Sequence, residues 1–201
     1  MPWSVIFQLF MMQTDRIYFQ ANPWPEGHPI AEFSWTAKVM DGDVWFDLHL
    51  KSADYYAERD IDYEDEETQA LSDWESPAVW NNYHACTLSS TFWGNKGFRI
   101  CRIEQYKPEF LDGLEVLVDT HPEAIEDWDE LAFHIYLLGH DAAAKHRIRF
   151  ERIQGSQQFK IVWTGSIAAA YVGQYEFKHA FSASISSAQF PPLAGNSQSA
   201  P

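Results

Sequence analysis

Three side chains in the C-terminal half have the types and spacing that proton-transfer chemistry needs. In "LAFHIYLLGH" (131–140), His134, Tyr136 and His140 share one strand parity. An extended backbone would send these two imidazoles and a phenol to the same face. A pocket lined this way could do acid–base work near neutral pH. The same parity also serves a mixed sheet face with solvated imidazoles.

Negative charge is the second feature. "ERDIDYEDEETQALSDWE" (58–75) holds nine carboxylates and one arginine, and "PEAIEDWDE" (122–130) adds five carboxylates with no cation. The chain carries a formal net charge of −15. Nucleic acids and anionic membranes both demand compensating Lys and Arg, so neither is an expected partner. A basic protein partner fits instead. Each acidic stretch also holds a tryptophan, Trp74 or Trp128. Charge steers an encounter and a buried aromatic anchors it. Inhibitors of basic nucleases, bacterial immunity proteins among them, work by this logic; the likeness is one of physical character, with no shared motif.

The leading expectation is therefore a non-catalytic acidic interaction domain that neutralises a basic partner. Its contact residues would be Glu64, Asp65, Glu66, Glu67, Trp74, Glu126, Asp127 and Trp128. The alternative is a small enzyme or ligand-binding β-domain whose pocket uses His134, Tyr136 and His140.

Metal and cofactor chemistry finds little support. Asp60, Asp62 and Glu64 alternate like the first ligands of a calcium loop. That loop needs glycine next and a glutamate at its twelfth position, where this chain has Asp65 and Leu71. His84 and Cys86 lie two apart, with Cys101 further on, but structural zinc uses two closely spaced ligand pairs. No phosphate-binding glycine loop, dinucleotide fingerprint or nucleophile elbow is present. The expectation is no metal and no cofactor, with Cys86 and Cys101 as free thiols.

Two cysteines are too few for a disulfide framework. The N-terminus lacks a basic segment and a small-residue cleavage site, and no apolar run approaches 18 residues. These features point to the cytoplasm. Basic residues cluster at Lys145, Arg147, Arg149, Arg152 and Lys160. The first three alternate, so one strand face would carry three cations, which could receive segment 58–67.

The elements that must position these groups are mostly strands. Across residues 30–50, Ala31, Phe33, Trp35, Ala37 and Val39 alternate with polar residues. After Asp41-Gly42 the alternation resumes with Val44, Phe46, Leu48 and Leu50, the mark of a hairpin with one buried face. "RIYFQAN" and "SVIFQLF" read as further strands. Segments 131–140, 145–153, 158–165 and 174–183 read as an antiparallel meander, with His179 a hydrogen-bonded core residue. Short helices are expected over 62–75, after Ser76-Pro77, and from Thr120, where Glu123 has capping-box spacing. The fold class expected is α+β: a predominantly antiparallel meander or sandwich-like sheet with two or three short helices. One globular domain spans 1–189, followed by a flexible tail at 190–201.

Overall fold

The computed structural model describes residues 15–22, 24–58, 85–91, 97–137 and 139–193. Ten strands run in chain order: β1 (Arg16–Phe19), β2 (His28–Met40), β3 (Asp43–Ser52), β4 (Thr87–Ser89), β5 (Phe98–Arg102), β6 (Glu115–Val118), β7 (His134–Tyr136), β8 (His140–Arg152), β9 (Gln158–Ala168) and β10 (His179–Gln189). One short α-helix, α1 (Pro108–Leu111), and several single 3-10 turns complete the described elements.

The β2–β3 hairpin forms as its alternation requires. Asp41 (φ 52°) and Gly42 (φ 79°) both take positive φ, as a type I′ turn demands, and Met40 pairs with Asp43. Trp35, Ala37, Val44, Phe46, Leu48 and Leu50 are buried on one face. Phe33 is half-buried, and Val39 near the turn is exposed.

The sheet closes on itself. Its order is β2-β1-β10-β9-β8-β7-β4-β3, and β3 pairs back with β2, giving an eight-stranded antiparallel barrel. β5 pairs with β3 and β6 with β8 outside this ring. The expected α+β arrangement with two or three helices is thus overturned: the described residues are nearly all β, with one short helix among them. Local alternation says which face of a strand is buried but not whether the outer strands find each other. Here β2 starts against β1, shifts register between Ile30 and Glu32, and continues against β3. That bulge bends one strand across two partners, and closure then leaves no unpaired edge in the ring.

The helix expected from Thr120 is also absent. The segment makes two 3-10 turns, Pro122–Ala124 and Trp128–Glu130, and His121 rather than Thr120 occupies the first cap. Ile125, Trp128 and Leu131 recur every three residues, a spacing that suits three-residue turns better than a 3.6-residue helix. The strand expected over 131–140 is confined to His134–Tyr136, and the strand expected from Lys145 begins instead at His140. The helices placed at 62–75 and after Ser76-Pro77, and the strand "SVIFQLF", lie outside the described residues.

Inward-facing aromatics fill the barrel. Trp163, Phe46, Phe133, Phe150 and Phe159 are fully buried, and Trp35 packs against Phe46, Phe150, Phe159 and Phe190. Gly165 makes room at one point: a Cβ there would lie 2.6 Å from Phe181 and 2.9 Å from His146. Cys86 and Cys101 are free and buried, and burial pushes both thiols up from their ordinary pKa.

Candidate functional site

Strands β7 and β8 form a tight hairpin in which Tyr136 pairs with His140, Ile135 with Asp141 and His134 with Ala142. The Leu137 N–H donates to the Gly139 carbonyl across the turn (3.2 Å). Glycine at 139 is required by packing, because a Cβ there would meet the Tyr171 ring at 2.3 Å. Tyr171 is held in turn by its backbone N–H, which donates to Asp141 Oδ1 at 3.0 Å.

A small apolar patch lies on the outside of the wall next to this hairpin. Ala142, Ala144 and Ala168 are buried there beneath Leu131, with Ile125, Trp128 and Phe177 packed against them. The alanines matter because larger side chains would not let the 122–131 segment lie this close. Trp128 stands edge-on to Phe177 (ring centroids 5.2 Å) and beside Tyr175 (6.1 Å). Asp127 caps the turn below it, accepting a hydrogen bond from the Asp129 N–H (2.9 Å).

These two features enclose a cavity of about 280 Å³ lined by Trp128, Asp129, Leu131, His134, His140 and Asp141, among others. One carboxylate (Asp129), two imidazoles and one indole share this face; the side chain of Asp141, cross-strand partner of the core residue Ile135, lies on the opposite face of the hairpin. Burial holds the His134 pKa below its ordinary value, with Asp129 opposing and His140 reinforcing the shift. His134 is therefore neutral at pH 7. Tyr136 does not line the cavity; its ring stands perpendicular to His140 at 5.0 Å.

Sequence expectations meet the structure unevenly here. Parity placed His134 with Tyr136 correctly, but His140 reaches the pocket by a chain reversal rather than along one strand. Trp128 is at the pocket, half-buried rather than projecting. Glu126 and Asp127 are exposed and do not line it. Glu64, Asp65, Glu66, Glu67 and Trp74 lie outside the described residues. Sequence reasoning passed over Asp129 and Asp141. Asp129 was hidden among five carboxylates, and Asp141 anchors the Tyr171 backbone from the other face of the hairpin.

The basic strand is also resolved into specific pairs. Arg147 faces Glu115 (3.2 Å), Arg149 faces Glu151 (2.9 Å) and Arg152 faces Glu109 (2.7 Å). At the acidic stretch, Glu58 is engaged by the buried Arg16 at 2.6 Å. Among the described residues, no group of three or more His, Cys, Asp or Glu is arranged to hold a metal ion. No described helix is long and apolar enough to cross a membrane.

Set against known protein families, curated proteins and solved structures, the chain matches none. The functional reading therefore rests on the site's own chemistry.

Proposed function

We propose that the protein is a non-catalytic acidic binding domain that takes a lysine or arginine side chain of a basic protein partner into the Trp128 pocket. The observation that carries this reading is the meeting of Asp129 with the Trp128 indole around one cavity. A cation entering beside Asp129 gains Coulomb energy that grows as water is excluded. An indole face adds about 0.5–2 kcal/mol of cation–π attraction. The surrounding charge of −15 would steer a basic partner toward the surface. Neutralising a basic toxin or nuclease is one role such a domain would fill.

Titration with nona-arginine, followed by tryptophan fluorescence, tests this. Binding is expected to weaken with salt, and Asp129→Asn and Trp128→Ala are each expected to reduce affinity several-fold. Glu104→Gln removes the same charge beside β5, which pairs with the opposite end of β3 from β4. It is expected to have little effect. Equal losses from Asp129→Asn and Glu104→Gln would reduce the attraction to diffuse charge.

The two imidazoles favour a second reading, in which a small ligand binds through His134 and His140 beside Tyr136. The neutral state of His134 supports it, since a neutral ring can both donate and accept. In that case His134→Gln, and not Asp129→Asn, removes binding.

A further inference from the structure

The outer wall over β8, β9, β10 and β1 carries a second concavity, which shares no lining residue with the Trp128 pocket. Strand register builds it. One cross-strand row runs Arg147, Thr164, Ser182, Tyr18, each residue paired with the next. A neighbouring row contains Ser166 paired with Ala180, whose carbonyl accepts from the Gln20 N–H. At the β8 end of this row, Lys145 follows Ala144, the partner of Ser166.

A bulge between Ala144 and Arg147, with Lys145 at φ 54°, breaks the strict alternation and leaves Lys145 and Arg147 both exposed. The two central strands contribute only Thr, Ser and Ala to these rows, while the flanking strands contribute Lys, Arg, Tyr and Gln. Short side chains between long ones make a trough, with a volume of about 500 Å³. At roughly 4.8 Å per strand it spans about 14 Å.

The groups along the trough form a gradient. Two cations stand at one end in a chain with only fourteen Lys and Arg. Three hydroxyls occupy the middle, and a phenol ring stands at the far end. Tyr18 is positioned by close backbone approach, because a Cβ at Gly27 would lie 2.6 Å from its ring. Among the described residues, Thr164, Ser166 and Ser182 make no side-chain hydrogen bond and Lys145 no ion pair. Arg147 shares its charge with Glu115, but both side chains are largely in water, and such pairs exchange readily.

We propose that this trough binds an anionic sugar. The carboxylate or phosphate sits at Lys145 and Arg147, the ring hydroxyls run along Thr164, Ser166 and Ser182, and an apolar sugar face lies on Tyr18. A bare anion would leave three hydroxyls and a ring unused; a neutral sugar would not need the cations. The net charge of −15 repels a long polyanion. A small ligand is screened from distant carboxylates beyond a Debye length of about 8 Å and responds to the local cations and their neighbours Glu115 and Glu123.

Glucose 6-phosphate and glucuronate, titrated by NMR chemical-shift perturbation, are the probes; glucose and inorganic phosphate are the controls. At least one anionic sugar is expected to bind tenfold or more tightly than either control, and which one distinguishes phosphate from carboxylate. Arg147→Gln and Lys145→Gln are each expected to weaken it at least tenfold, and Ser182→Leu, which fills the floor, to abolish it. Thr164→Val keeps side-chain shape and is expected to weaken binding several-fold, a readout that survives if Ser182→Leu does not fold. Failure of both anionic sugars to bind, parity with inorganic phosphate, or unchanged affinity in Thr164→Val would each overturn the proposal.

Discussion

Trp163 donates its indole N–H to Nδ1 of His146 at 3.2 Å, in the fully buried centre of the barrel. The bond leaves the remaining proton of a neutral ring on Nε2. Burial pushes the His146 pKa down to about 3, with the Ala143 backbone opposing. His28, also buried, is held at about 4 by burial and by the nearby Arg16 charge.

Acid should therefore unfold this protein through its histidines first. Both rings have an ordinary value of 6.5 and a lower one when folded, so the unfolded chain binds more protons. Full stability is present above pH 6.5 and is lost as pH falls toward 4. Each ring contributes a slope of about 1.4 kcal/mol per pH unit in that window. Urea denaturation between pH 7 and 5 is expected to show this loss, and His28→Gln to reduce the slope. A flat profile would contradict the neutral buried state.

Trp35 should be the most costly residue of the first hairpin. Its ring meets four phenylalanines, and its Nε1 has no hydrogen-bond partner. Trp35→Ala is expected to cost roughly 3–5 kcal/mol. Trp35→Phe, which also removes an unsatisfied N–H, should cost well under half of that. Chemical denaturation of both variants checks the order.

The Arg16–Glu58 pair should be asymmetric. Arg16 is buried and also donates to the carbonyls of Glu26 and Gly27, whereas the Glu58 side chain is 54% exposed. Glu58→Gln is expected to cost about 1 kcal/mol and Arg16→Met clearly more. The reverse order in thermal melts would mean that the acidic residue carries the contact.

Gly139→Ala should damage the pocket without touching its lining. The added methyl collides with Tyr171 and shifts the β7–β8 hairpin, which carries His134 and His140 of the lining. Nona-arginine affinity is expected to fall while the melting temperature drops only modestly. Unchanged affinity would show that the pocket does not depend on the close contact at Gly139.

Much of the barrel was legible in the chain because alternation is a local property. The hairpin, β1, β9 and the buried state of His179 all follow from patterns over a few residues. Closure was not, since the β1–β2 and β4–β7 pairings join strands whose own patterns say nothing of each other. The pocket was half legible. His134 stood out by chemistry, whereas His140 joins it only because β8 runs back along β7. Trp128 read as a projecting anchor because its outer-wall alanine bed comes from β8 and β9, far along the chain.

The most direct test of the proposed function is a double-mutant cycle on nona-arginine binding at low salt with Trp128→Ala and Asp129→Asn. If a single cation sits between the indole and the carboxylate, the two changes should be strongly non-additive, the double variant losing little more affinity than the worse single one. Strict additivity, or losses no larger than that from Glu104→Gln, would contradict a cation-accepting pocket at Trp128.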